Sequence, residues 1–478
     1  MKPQIQLYQR VFRRIIFFAA SMAALLSGLP PCARAAAQGT PEPRREQLLN
    51  GLKVLLLHRP GDPEVLLKLR IHSGAAFDLT GKDGMTALLG DALFSDPSTR
   101  MYVTEDLGGR LEVTTDYDAI NVTLAGRVAE FERLVELLRN ALVNTPLSAE
   151  VVGRLREARV KAVREVSVAP SAIADRAISS RLFGAYPYGR VVAGTPETLA
   201  RVDRADLMLA RERFLNPNNA TLAVVGGAEP SRALRALRQF LGVWRKSDRD
   251  VPATFRQPEA PDARTLIVGL AGAPDAEVRL AVRGLARTDR DAAAADVLAV
   301  VARERWLKSF PELKGRPFYV VHGAYALPGV FRVGASVPSA QAAGALETGR
   351  AVLQSLVTTA PSAAEFETAK AEVAAGRNAR STGTEGMMNA WLVAEAYGIN
   401  GADEIRAVSN LTPGDVQRVA ARLFRSAAVA AVAVGDAAQL RAELAKAGAV
   451  EVLGDPAPEA KASPASPAQA PPLQMKRP

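Results

Sequence analysis

The sequence predicts an α+β chain built from two similar halves. Three observations predict it. Short apolar strands alternate with amphipathic helical runs along the 478 residues. One strand–helix arrangement occurs twice with the same internal spacing. A proline-bearing charged stretch separates the two occurrences.

The first element is a leader. Lys2, Arg10, Arg13 and Arg14 precede an uncharged run over 15–29, and Cys32-Ala-Arg-Ala-Ala-Ala follows. A basic start, a short apolar core and small residues before a cut make residues 1–37 a signal peptide, or, if uncleaved, an anchor. Cys32 leaves with a cleaved leader. Residues 38–246 form a first domain. Its strand at 119–124 feeds a helix whose Phe131, Leu134, Val135, Leu138 and Leu142 share one face. Then Val202-x-x-x-Asp206 opens a helical run to Phe214, followed by a strand at 221–225 and Gly226. Residues 247–262, with Pro252, Pro258 and Pro261, are a linker. Residues 263–454 repeat the pattern. A strand at 330–337 feeds a helix carrying Ala343, Leu346, Val352 and Leu353. Leu411-x-x-x-Asp415 opens a run to Phe424, followed by a strand at 429–434 and Gly435. The Asp-to-Gly spacing is 20 in both halves, with Arg213 and Arg422 in register. Residues 455–478 are a Pro/Ala-rich tail expected to be disordered.

Composition excludes several classes. One cysteine rules out a disulfide framework and a thiolate metal cluster. Three histidines, His58, His72 and His322, leave little imidazole chemistry, and none lies three or four residues from another. All three are expected at surface or edge positions. The net charge of +10 includes five basic residues of the leader, so the mature chain carries about +10 − 5 = +5. No basic block with interleaved aromatics suggests nucleic acid. No run after the leader is long enough to span a bilayer. No Gly-x-Ser-x-Gly marks a serine nucleophile.

Several stretches together resemble the insulinase-like (pitrilysin) family of zinc metallopeptidases. They are Leu49-Asn-Gly-Leu-Lys-Val54, Ala185-Tyr-Pro-Tyr-Gly-Arg190 with Gly194-Thr-Pro-Glu197, Phe214-Leu-Asn-Pro217 with the strand ending in Gly226, and Arg283-Gly-Leu-Ala-Arg-Thr-Asp289. The match runs in one order over about residues 45–450. The resemblance implies two homologous α/β domains forming one half of a clamshell, two halves of which enclose a peptide chamber.

The family's catalytic element is His-x-x-Glu-His on a helix. Residues i and i+4 share a helix face, so two imidazoles can grip one Zn²⁺, and the intervening Glu sits beside the metal-bound water as base. A third ligand, a Glu, comes from a later helix. The matching segment here is Asp83-Gly-Met-Thr-Ala-Leu-Leu-Gly-Asp-Ala-Leu-Phe94. Met85, Leu88, Leu89, Ala92 and Leu93 form its apolar stripe. Ala87, Gly90 and Asp91, on the other face, fall where the family places His, Glu and His. Hydrolysis by the family mechanism is therefore expected to be absent, with no zinc of the chain's own.

Glu165 falls 74 residues after Asp91, near the family's interval for the distal ligand. With Val151, Leu155, Ala158 and Ala162 it is expected on the inward stripe of its helix. It is read either as a relict ligand or as a carboxylate paired with a nearby arginine. An Asp91–Glu165 site for Ca²⁺ or Mg²⁺ is a third alternative. The resemblance also implies a substrate-holding Arg and, seven residues on, a Tyr. Tyr319 fits the Tyr position, but Glu312 stands seven earlier, leaving Arg316 as a shifted substitute.

The expectation is a periplasmic or otherwise exported pseudopeptidase. It would complete the chamber of a zinc-bearing insulinase-like homologue acting on peptides. The alternatives are a non-enzymatic peptide-binding or scaffold protein, alone or self-paired, and residual metal-dependent hydrolysis.

Overall fold

The structure is a computed structural model that describes residues 41–248, 255–399 and 401–453. The leader with Cys32, the tail and the middle of the linker lie outside the described residues. Among those described, no helix is long and apolar enough to cross a membrane.

The first half supplies β1 (Arg44–Gln47), β2 (Lys53–His58), β3 (Glu64–Ile71), α1 (Met85–Leu93), β4 (Arg110–Thr115) and β5 (Ile120–Arg127). Then come α2 (Phe131–Val143), α3 (Ala149–Ser167), α4 (Pro170–Phe183), α5 (Arg204–Phe214), β6 (Ala220–Gly226) and α6 (Pro230–Leu241). The second half supplies β7 (Thr265–Gly269), β8 (Ala276–Arg283), α7 (Ala292–Ser309), β9 (Phe318–Gly323), β10 (Val330–Val337) and α8 (Ala342–Thr358). It ends with α9 (Ala363–Ser381), α10 (Gly383–Tyr397), α11 (Pro413–Phe424), β11 (Ala430–Gly435), α12 (Ala437–Leu444) and β12 (Val450–Val452).

Each half folds into a six-stranded sheet. The orders are β1-β2-β6-β3-β5-β4 and β12-β7-β11-β8-β10-β9. Five strands correspond one to one, including the parallel pairs β2/β6 and β7/β11 amid antiparallel neighbours. The sheets differ at one edge, where β1 runs antiparallel to β2 and β12 parallel to β7. The repeated aspartates have one physical job. Asp206 and Asp415 are the third residues of α5 and α11, and each closes a capping box, with Asp203 and Thr412 respectively. Gly226 ends β6 at φ +143, where a Cβ would lie 2.2 Å from the Glu64 carbonyl oxygen.

Alternation along the strands divides each sheet into two faces. Leu67, Leu69 and Ile71 of β3 enter a core with Leu88 of α1, Phe131 and Leu138 of α2, and Phe214 of α5. Val278, Leu280 and Val282 of β8 enter the equivalent core with Leu298, Leu353 and Phe424. The opposite faces are covered by exchange. Helix α4 of the first half lays Ala174, Ile178 and Leu182 on Leu266, Ala281, Ala430 and Val432 of the second sheet. Helix α10 of the second half lays Met387, Met388, Trp391 and Leu392 on Leu55, Ala223 and Val225 of the first. Burying such side chains is worth roughly 1.5–3 kcal/mol each, so each half depends on the other's helix. A division into consecutive domains describes the chain order, while the packing is reciprocal.

Candidate functional site

Helix α1 is positioned by a buried cap. The Asp78 carboxylate accepts from the Gly84 N–H at 2.7 Å, the Thr86 N–H at 2.8 Å and the Thr86 hydroxyl at 2.5 Å. Gly84 turns in at φ +90, and a Cβ there would stand 2.8 Å from the Gly194 Cα. Met85, Ala87, Leu88, Leu89, Gly90, Ala92 and Leu93 of α1 are all buried. This corrects the two-faced reading of α1. Ala87 is 2% exposed, so it does not open onto solvent. The reason is steric. Alanine and glycine hold nothing at a distance, and neighbouring elements close onto them. A Cβ at Gly90 would meet Thr115 Oγ1 at 2.9 Å and Val113 and Ile120 methyls at 3.6 Å.

Asp91 is the half-buried exception, and its carboxylate is taken. Arg159 of α3 grips it with Nε to Oδ2 at 2.7 Å and Nη2 to Oδ1 at 2.7 Å. The same Nη2 donates to the Ala87 carbonyl at 3.2 Å. This is the two-pronged arrangement that makes Arg–carboxylate pairs strong. Zinc does not fit these residues. They offer no imidazole, and their one carboxylate already neutralises a cation. Among the described residues, no group of three or more His, Cys, Asp or Glu side chains is placed to hold a metal ion.

Glu165 is exposed, which corrects its inward placement. Burial on α3 runs instead through Val152, Leu155, Val160 and Val163. Two residues beyond Val163 is about 200° around a helix. Ala158 and Ala162, expected on the same stripe, are exposed. Among the described residues, Glu165 forms no ion pair either.

Tyr319 is brought into a cluster, but not with Arg316. Arg316 pairs with Asp275 at 3.1 Å, and Glu312 is exposed in the turn Pro311–Leu313. The Tyr319 hydroxyl donates to Asp175 of α4 at 2.9 Å, and the guanidiniums of Arg279 and Arg332 lie 5.3 and 5.4 Å from its ring centre. Gly334 opposite permits this, since a Cβ there would lie 2.5 Å from the ring. Burial pushes the Tyr319 hydroxyl up to about 12 against the pull of both arginines. Arg279 Nε donates to the same Asp175 oxygen at 2.7 Å, while its Nη1 meets Glu277 at 2.9 Å. The first sheet has a counterpart in Lys68, paired with Glu385 of α10 at 3.3 Å.

Two of the three histidines have side-chain hydrogen-bond partners within the fold. His322 lies on the opposite strand face from Tyr319, as alternation requires, and on β9, the edge strand of its sheet, with its side chain fully buried. Its Nδ1 is 2.9 Å from Asp296, and its Nε2 accepts the Leu285 N–H at 3.2 Å, so neither nitrogen can serve a nucleophile. His72 sits 3.0 Å from the Thr221 hydroxyl. Burial, then Arg70, depresses it to about 4, so it is neutral near pH 7. His58 is half-buried at the end of β2.

Burial pushes the Asp78 carboxyl up to about 7, against the three donors that face it. The folded chain therefore holds a proton that the unfolded chain releases near pH 4. That contribution to stability is present below about 4 and is lost as pH rises through 7. Wild type is expected to lose stability relative to Asp78→Asn between pH 5 and 8, measured by urea midpoints. A pH-independent difference would contradict the shift.

A repeated six-stranded α/β unit whose halves exchange helices fits the insulinase-like fold that the sequence resembles. The comparisons agree. Residues 53–196 match the insulinase (peptidase family M16) model, and residues 201–373 match the peptidase M16 inactive domain model. The chain belongs to the insulinase-like family. It is similar to an uncharacterised zinc protease of Mycobacterium leprae, 22% identical over 203 residues, 41% of this chain and 46% of that protein. It is also similar to subunit 1 of the mitochondrial cytochrome b-c1 complex of Bos taurus, 22% identical over 226 residues, 46% of this chain and 47% of that protein. The match thus spans about half the length of these curated relatives. Among solved structures, a Helicobacter pylori protease superposes with a TM-score of 0.74 at 18% identity, covering 82% of this chain and 99% of that one. A peptidase M16 inactive domain from Pseudomonas fluorescens gives 0.72 at 19%, covering 82% and 98%. Complex III2 from Candida albicans gives 0.68 at 14%, covering 84% and 97%. At these identities the likeness is one of fold.

Proposed function

We propose that this chain is a non-catalytic insulinase-like subunit that completes the peptide chamber of a zinc-bearing homologue after export. The carrying observation is helix α1. Where the family's mechanism needs two imidazoles and a base, Ala87 and Gly90 are buried without side-chain donor atoms and Asp91 is neutralised by Arg159. The match to an inactive-domain model and the likeness to subunit 1 of the cytochrome b-c1 complex support a role as wall and contact surface rather than as catalyst. The zinc then resides in the partner, and no cofactor is assigned to this chain. Periplasmic location rests on the leader sequence.

A second reading is a peptide-binding or scaffold protein without an enzymatic partner. It is favoured by Tyr319, whose hydroxyl is committed to Asp175 and whose expected companion Arg316 is committed to Asp275. Co-expression with a genomically adjacent homologue carrying an intact His-x-x-Glu-His separates the two. Co-purification and a peptidase rate above that of the homologue alone is the expected result. Peptide binding by the isolated chain, with neither association nor stimulation, would replace the first reading with the second.

A further inference from the structure

Loss of metal ligands leaves two physical outcomes open. The site can be an empty surface with its donors deleted, or it can be rebuilt around another charge. Three oxygens of α1 converge on one group here. Both carboxylate oxygens of Asp91 and the carbonyl oxygen of Ala87 receive N–H donors from the guanidinium of Arg159. The two side chains retain only part of their exposure, 19% for Arg159 and 34% for Asp91. The carbonyl involved belongs to the residue aligned with the first metal-binding histidine, and the carboxylate to the residue aligned with the second. Position 90 between them is closed by Thr115.

We infer that Arg159 is a resident cation that occupies the metal's place and ties α1 to α3. The site is then closed to divalent metal, rather than merely short of ligands. The inference rests on α1 being the helix that carries metal in the family. It does not depend on whether a partner subunit exists. Its physical basis is charge. A guanidinium is protonated at every accessible pH and carries a fixed fork of donors, so it satisfies three converging oxygens permanently. A divalent ion approaching the same oxygens meets a fixed positive charge at short range and a carboxylate each of whose oxygens already accepts a guanidinium N–H.

Charge replacement tests this. Arg159→Glu places a carboxylate beside Asp91 and the Ala87 carbonyl, converting a satisfied cage into an anionic one that lacks its cation. The purified full chain, Arg159→Glu and Arg159→Met are melted in chelator and in added Zn²⁺, with Mn²⁺ as a second probe, and zinc binding is measured by calorimetry. The wild type is expected to melt at the same temperature in both conditions. Arg159→Glu is expected to melt lower than Arg159→Met in chelator, to regain several degrees in metal, and to bind zinc at least about tenfold tighter than wild type, about 1.4 kcal/mol. Should Arg159→Glu fail to fold in chelator, refolding in zinc is the same test, and recovery supports the inference. A wild type that is itself stabilised by metal overturns it. So does an Arg159→Glu chain that is no less stable than Arg159→Met, or that gains nothing from metal. Partner association is not read in this experiment, so its outcome is independent of the pairing reading.

Discussion

Asp175→Ala is expected to destabilise the folded chain by about 3 kcal/mol. Asp175 is the acid through which the exchanged helix α4 holds the second sheet. One of its oxygens accepts from Arg279 at 2.7 Å and from Tyr319 at 2.9 Å, and Arg332 lies at 3.6 Å. The Arg279 side chain is only 2% exposed. Removing the acid leaves that guanidinium buried with Glu277 as its remaining carboxylate partner, and breaking a buried pair from one side costs far more than the pair contributes. The matching variant sharpens the expectation. Arg279→Met removes the buried charge and keeps the stem's volume, so it should cost only about 1 kcal/mol. Urea midpoints of the two variants check the order. An Arg279→Met chain less stable than Asp175→Ala would show that the pair itself, rather than the orphaned cation, carries the energy. Limited proteolysis supplies a second readout, because loosening α4 should expose the segment around Tyr186.

The same cluster shows how much of the fold and site was legible in the sequence. The repeat was legible because capping boxes and strand-ending glycines are local devices, and local devices leave fixed spacings. Strand β10 and the buried face of α2 came out as expected for the same reason: alternation and 3.6-residue periodicity are properties of one segment. Helix exchange was not legible. Nothing in 170–183 or 383–397 says which sheet the helix will cover, since packing partners are set by long-range topology. A weaker signal was present in Lys68 and Arg70 of β3 and Glu277 and Arg279 of β8, charges alternating with core residues inside strands. Such a pattern marks a second face met by something polar, here Glu385 and Asp175 of the exchanged helices. Glu165 failed for a different reason. Alanine is neutral as a burial signal, so Ala158 and Ala162 read as core in the sequence, while Arg159 is held inward by Asp91, a partner 68 residues away that local patterning cannot reveal. Tyr319 is legible through the family resemblance and its neighbours are not, because Arg279, Arg332 and Asp175 reach it from two other strands and a helix.

Asp118→Ala is the second large effect expected, again about 3 kcal/mol, as three donors lose one acceptor group. Asp118 lies in the loop joining β4 to β5 and accepts from the Tyr397 hydroxyl at 2.7 Å, the Ala326 N–H at 2.9 Å and the Tyr188 hydroxyl at 3.2 Å. Tyr188 follows α4 and Tyr397 ends α10, so both exchanged helices lead to one carboxylate. Ala326 belongs to the loop joining β9 to β10, the counterpart of Asp118's own loop in the other half. Tyr117, Tyr188 and Tyr325 pack together there with ring centres 4.7–5.2 Å apart. Tyr186 adds a fourth ring at 5.6 Å from Tyr188. Burial, with the charge of Asp118 as the next cause, holds the Tyr188 and Tyr397 hydroxyls well above their ordinary range, so they remain donors at any pH the fold survives. Five of the chain's eight tyrosines therefore report on this junction, and near-ultraviolet circular dichroism should lose much of its tyrosine signal in Asp118→Ala. Asp118→Asn keeps one acceptor oxygen and should lose about 1 kcal/mol. Reciprocal helices joined at one carboxylate should make the two halves unfold together. Wild type is then expected to show one transition by fluorescence and by circular dichroism, and Asp118→Ala to separate them. Two transitions in the wild type would mean that the exchanged helices do not couple the sheets they cover.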